Sequence, residues 1–121
     1  MQKNPEIYIN DILFSINLIE QYVDGLSFPQ FAESVAEQDK VLRRLEIIAE
    51  AAKKLPEDIR AQNTGIPWKS IIGLRNIITH EYDEVNLEEI WTIVSEHLPG
   101  TKKQIEALLR ETEPAAIQWS I

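Results

Sequence analysis

Three features of the 121-residue sequence predict an all-α domain. Apolar residues recur at the helical interval along almost the whole chain, no stretch alternates apolar and polar residues for long enough to make a strand, and Pro, Gly and capping residues fall between the periodic blocks. With 44% hydrophobic and 26% charged residues, the chain has material for one core and lacks the low-hydrophobicity signature of disorder. It holds no repeat, low-complexity run or linker. A bundle of about four to five helices is therefore expected over residues 1–111, with TEPAAIQWSI at 112–121 as a C-terminal tail without helical periodicity.

The first helix is expected over residues 5–24, where Ile9, Ile12, Leu13, Ile16, Ile19 and Val23 form an apolar stripe that Tyr8, Leu18 and Tyr22 widen. Gly25 suits a left-handed residue just past its end. Ser27 can cap a second segment carrying Phe28, Phe31 and Val35, and helix resumes or continues through Leu42, Leu45, Ile48, Ala49, Ala52 and Leu55. Pro56 interrupts it, and AQNTG at 61–65 reads as a loop. Pro67 fits the first turn of the next helix, 67–82, because its fixed φ suits a helix and its missing N–H would be unpaired there anyway. Asn86 with Glu89 resembles a capping box, opening a helix whose core face is Leu87, Ile90, Trp91 and Val94. Leu98-Pro99-Gly100 is expected to bend or break it before Ile105, Leu108 and Leu109 continue.

Composition narrows the function classes. The absence of Cys removes disulfides, thiolate nucleophiles and Cys-type zinc sites, and fits a reducing compartment. No opening basic-then-apolar leader and no span of apolar residues long enough for a membrane is present, so a soluble, cytoplasmic protein is expected. Twelve Lys+Arg against 20 Asp+Glu give a formal charge of −8, which argues against holding nucleic acid by general phosphate neutralisation. Any chemistry on RNA or DNA must be local. Two His without an HExxH or other ligand spacing give no metal site, His97 beside Glu96 reads as a bystander, and no glycine-rich phosphate loop or Ser–His arrangement appears.

The chemistry-bearing segment is the helix at 67–82. At 100° per residue with Arg75 at zero, Trp68 lies at about +20°, Ile71 at −40°, Ile72 at +60°, Ile78 at −60° and Tyr82 at −20°. Arg75 is thereby placed in the middle of an apolar stripe. A guanidinium there must snorkel, pair with an acid such as Glu50, or face a cleft or a second subunit. His80 lies about 140° further round, so one straight helix cannot aim both at one phosphate. Either the helix loosens near Thr79 and His80, or a second chain completes the site across a two-fold axis.

Arg75-Asn76-x-x-x-His80-x-Tyr82 resembles the Arg-x4-His-x-Tyr motif of HepT-like toxins in the HEPN superfamily. The similarity extends over roughly residues 8–109: Asp-Ile-Leu on the first helix, Tyr22 before Ser-Phe-Pro-Gln-Phe, Leu45-Glu46-Ile47-Ile48-Ala49-Glu50-Ala51-Ala52, and Pro67-Trp68 leading into the motif. One departure is Ala49, where many relatives carry Gly before the Glu.

The resemblance implies a HEPN-like helical bundle that dimerises through the motif helix and acts as a metal-independent endoribonuclease, the toxin of a toxin–antitoxin pair. Its implied partners are RNA, a second copy of the chain, and an MntA-like minimal nucleotidyltransferase antitoxin, with which the dimer can assemble further. That antitoxin would silence it by attaching AMP to Tyr82. Arg75 would bind the scissile phosphate and stabilise its developing charge, and His80 would serve as general base on the 2′-OH or general acid to the leaving 5′-oxygen. Asn76 would support the phosphate or orient a catalytic group. No cofactor or metal is implied, and the products would carry a 2′,3′-cyclic phosphate. Around the motif Lys69 and Arg75 only balance Glu81 and Asp83, so RNA affinity is expected to be weak and salt-sensitive, or to depend on basic residues such as Lys40, Arg43 and Arg44 coming near the cleft in the dimer. The alternative is a non-catalytic module that presents Tyr82 to the nucleotidyltransferase or restrains it, which the acidic total favours. A third reading makes Arg75 a salt-bridged structural residue and His80 incidental.

Overall fold

Asn4 opens the first helix by accepting the Glu6 amide at 3.0 Å, with Pro5 in the turn where its missing N–H costs nothing. The computed structural model describes residues 4–80 and 86–112. α1 (Pro5–Val23) buries Ile9, Ile12, Ser15, Ile16 and Ile19, and Gly25 then reverses the chain at φ +76°, a conformation that strains residues with a Cβ. A full capping box starts α2 (Phe28–Glu33): Gln30 accepts the Ser27 amide at 2.9 Å, while the Ser27 hydroxyl accepts the Gln30 amide at 3.4 Å. Ser34 ends that short helix and caps α3 (Val35–Lys54), so helix resumes here rather than continuing.

Two sequence expectations change. Residues 61–65 are not loop throughout, because α4 (Glu57–Gln62) follows Pro56 and takes in Ala61 and Gln62. Glu57 and Asp58 in its first turn face the positive end of the helix, a local signal that the reading of AQNTG as a loop passed over. Likewise Leu98-Pro99-Gly100 does not break the last helix. α6 (Leu87–Thr92), capped by Asn86, passes through a π-helical turn (Ile93–His97) into α7 (Leu98–Thr112) with helical backbone at both junctions. The Leu98 amide reaches back to the Ile93 carbonyl, five residues away. This widened winding meets the proline ring just where an ordinary turn would drive it against the carbonyl four residues back.

The described residues thus form the expected all-α bundle, with two long helices (α1, α3), the motif helix α5 (Trp68–His80), one long α6–π–α7 rod, and the short α2 and α4. α3 lies between α1 and α5, α1 also packs on α7, and α2 bridges α3 and α6. Tyr22 stands beside Lys40 and Phe14 beside Arg44, so α1 and α3 run in opposite directions. Trp91 of α6 packs on Phe31 and Phe28 with ring centroids 5.2 and 6.2 Å apart. Ile9, Ile12, Ile16, Ile19, Leu45, Ile48, Ile90 and Ile105 are fully buried. Each such side chain stabilises the fold by about 1.5–3 kcal/mol relative to exposure. No helix among the described residues is long and apolar enough to cross a membrane. The tail from 113 onward lies outside the described residues.

Candidate functional site

The start of α5 is fixed by a chain of hydrogen bonds. The Asn63 side chain donates to the Ile59 carbonyl at 2.7 Å, tying the turn to α4, and the Asn63 carbonyl accepts the Trp68 indole N–H at 3.0 Å and the Ile66 amide at 3.1 Å. Trp68 is thereby buried with its one polar atom satisfied. From the other side, Gln104 of α7 donates to the Gly65 carbonyl. The helix that follows has its first turn set by tertiary bonds rather than by a side-chain cap.

α5 buries Trp68, Ile71 and Leu74, while Arg75 and Asn76 are exposed. The buried face is centred on Ile71, Leu74 and the half-buried Ile78, so Arg75 stands at the edge of the apolar stripe and not in its middle. The sequence reading had left Leu74 out of the stripe, and it is Leu74 that draws the centre away from Arg75. An edge position solves the desolvation problem, because the guanidinium reaches a cleft without entering the core.

That cleft is a groove of about 640 Å³ between α3, α4 and α5. Glu50 and Lys53 line it from α3, Arg60 from α4, and Lys69, Arg75 and Asn76 from α5, with Ala49 and Ile72 among its apolar surfaces. Arg75 and Asn76, two of the sequence-predicted residues, are therefore brought together with Glu50, the carboxylate suggested as a partner for Arg75. Four cations face a single carboxylate, in a chain whose formal charge is −8. Lys69 is the one further cation of the groove that the sequence places beside Arg75; Lys53 and Arg60 come from α3 and α4, and the sequence gives no sign that they join it. Lys40, Arg43 and Arg44 lie elsewhere in the chain: Lys40 pairs with Glu37 and Arg43 with Glu46, both at 3.3 Å, and Arg44 sits over the Phe14 ring.

α5 keeps α-helical backbone through His80. Loosening of the helix before that residue is thus not what the backbone does, and Arg75 and His80 remain on faces about 140° apart. Asn76 and His80 are four residues apart and share a face. The His80 side chain and Tyr82 lie outside the described residues. On the opposite flank of α5 a second cleft, about 680 Å³, opens toward the α6–π–α7 rod and includes Leu74, Ile77, Ile93 and His97. No group of three or more His, Cys, Asp or Glu among the described residues is placed to hold a metal ion.

Comparison with known proteins gives a consistent answer. A family profile described as Ribonuclease HepT-like matches residues 12–108. The chain is 39% identical over 113 residues to a Methanocaldococcus jannaschii protein whose name joins gamma-glutamylcyclotransferase to an RNase designation; the match covers 93% of this chain but 51%, about half, of that relative. It is 33% identical over 108 residues to a Thermococcus cleftensis protein named "Probable ribonuclease HepT", covering 89% of this chain and 98% of the relative. A Shewanella oneidensis protein named "mRNA nuclease HepT" is 29% identical over 136 residues, covering 85% and 100%. No solved structure matches the chain. The profile spans the helices that build the groove and carries through the motif on α5, and the Thermococcus relative is matched over nearly its full length, so the chain belongs to the HepT-like ribonuclease family.

Proposed function

We propose that the protein is the toxin of a toxin–antitoxin pair and a metal-independent endoribonuclease, acting at a site completed by two copies of the chain. The observation that carries this reading is Arg75 beside Asn76 at the edge of a cationic groove, on a helix that runs on to His80, in a chain of the HepT-like ribonuclease family. The name of the Shewanella relative, an mRNA nuclease, supports RNA as the substrate class. The 2′-OH of RNA attacks the adjacent phosphorus as the bond to the 5′-oxygen breaks. Arg75 neutralises the charge that builds on the non-bridging oxygens, and Asn76 helps hold the phosphate. His80 removes the 2′-OH proton or delivers one to the departing 5′-oxygen, work suited to a group that titrates near neutrality. The nucleophile comes from the RNA itself, so the step leaves a 2′,3′-cyclic phosphate and spares DNA.

The wide angle between Arg75 and His80 on one straight helix supports a shared site, in which each phosphate meets Arg75 of one chain and His80 of the other. Silencing follows from AMP attached to Tyr82 by an MntA-like nucleotidyltransferase, because the added phosphate competes for the surface Arg75 serves. The test is cleavage of total and transfer RNA in excess chelator by wild type and His80→Ala, with end-group analysis of products and intact mass of the sample. Chelator-resistant cleavage leaving cyclic phosphate, lost in a folded His80→Ala variant, is the expected result. Absence of cleavage by folded, dimeric protein of unmodified mass overturns it in favour of a binding module for the nucleotidyltransferase.

A further inference from the structure

We propose that Lys53, Arg60 and Lys69 form a phosphate-backbone subsite that holds a single RNA strand beside the scissile phosphate at Arg75; the inference rests on the ribonuclease reading above. The three cations rise from α3, α4 and α5 into the same groove as Arg75. None of them is in an ion pair among the described residues, whereas Lys40, Arg43 and Lys102 each hold a carboxylate. The Arg60 Nε is buried and has no hydrogen-bond acceptor among the described residues. A buried donor of that kind is expensive to leave unpaired, and a phosphate oxygen is the acceptor that best matches a guanidinium.

Gly73 gives a second line of argument. A glycine inside a helix costs stability relative to alanine, and a Cβ at Gly73 would meet nothing within 4 Å, so packing among the described residues does not require it. It lies between Lys69 and Asn76 at the border of the groove and the second cleft, where a bare backbone leaves room for a ligand to settle against the helix. Lys69 and Arg75 are six residues apart, about 9 Å along α5 and about 120° apart round it, so a strand meets both by crossing the helix along the groove they line. The acidic remainder of the chain repels a polyanion elsewhere and concentrates it here, which resolves the conflict between RNA chemistry and a charge of −8.

The test compares wild type with Lys53→Gln/Lys69→Gln, whose altered side chains are both exposed, with Arg60→Gln, and with Lys103→Gln/Arg110→Gln as an equal loss of charge outside the groove. Binding of a single-stranded oligoribonucleotide with 2′-O-methyl groups, which cannot be cleaved, is measured across a salt series, and cleavage of the unmodified strand yields KM and kcat. Loss of each phosphate contact should lower the slope of log affinity against log salt by about 0.7. The double groove variant is expected to lose about 1.4 of slope and to raise KM at least tenfold with kcat within about threefold, while the control double variant keeps the wild-type slope. Equal slopes and KM values in wild type and groove variants overturn the subsite and leave the ribonuclease reading standing. If wild type does not cleave but binds, and the groove variants lose binding, the ribonuclease reading fails and the subsite stands. Wild type that neither cleaves nor binds overturns both.

Discussion

Gln104 of α7 donates its side-chain amide to the carbonyl oxygen of Gly65 at 2.7 Å, joining residues 39 apart in sequence. With the Trp68 indole on the Asn63 carbonyl, it clamps the turn before α5 from two sides, and the position of Arg75 depends on both. Trp68→Phe keeps most of the buried ring and deletes one hydrogen bond, so unfolding free energy should fall by about 1 kcal/mol in urea titrations. Gln104→Ala, on a half-buried side chain, should cost about 0.5–1 kcal/mol. Both variants are expected to lower kcat/KM for RNA by more than their folded fraction explains. Full activity in a folded Trp68→Phe protein would mean that the start of α5 does not position the site.

A site shared by two chains has a stoichiometric signature. Arg75→Ala and His80→Ala should each be inactive alone. Co-refolded in equal amounts they give mixed dimers as about half of the population, each with one complete pair of Arg75 and His80 out of two, so about a quarter of wild-type activity should return. A site contained within one chain predicts no recovery at any mixing ratio. Size-exclusion chromatography with light scattering on the same samples establishes that mixed dimers are present.

The bond between Lys102 of α7 and Glu20 of α1, 2.9 Å long, predicts a pH dependence. That hydrogen bond, more than the nearby charges of Glu20 and Glu106, holds the Lys102 ammonium above the ordinary lysine value, against a partial loss of solvation. A group whose proton is held more tightly in the folded state stabilises fully below its unfolded pKa and loses that contribution as pH rises through the folded value. Coupling between Lys102→Met and Glu20→Gln in a double-mutant cycle should therefore be equal at pH 6 and pH 8 and vanish only in strongly alkaline buffer. Coupling that fades near neutrality would show that Lys102 is not the titrating partner.

Local signals were legible where a side-chain cap or a left-handed glycine decides the backbone. Gly25 takes the left-handed conformation expected of it, and Ser27 and Asn86 cap the helices assigned to them, because a side chain meets an amide three residues away. The groove was not legible. Its cations come from three elements whose relative placement is set by α3 packing on α5 and by the Asn63 and Gln104 bonds, none of which has a periodic signature. A stripe through Ile72 puts Arg75 at its centre, but Ile72 is half-buried and Leu74 is buried, and the shift from one to the other moves Arg75 to the edge. Family resemblance supplied Asn76, His80 and Tyr82 as site residues; helical angles alone gave the direction of each and no reason to choose them.

The π-helical turn at Ile93–His97 settles two problems at one place. Ile90, Val94 and Leu98 are all buried, yet eight residues of ordinary helix would carry Leu98 about 80° past the line of Ile90. The wider winding takes up that phase error, so α6 can face the aromatic pair on α2 while α7 faces α1. The rod contains, in effect, a single residue of slack, stored where Pro99 has already interrupted the ladder of amides. A rod one residue shorter there, with an ordinary amino acid in place of the proline, would present the same inner face. Elsewhere in the bundle such a deletion would rotate the remainder of its helix by about 100° and carry that helix's buried residues out of the core.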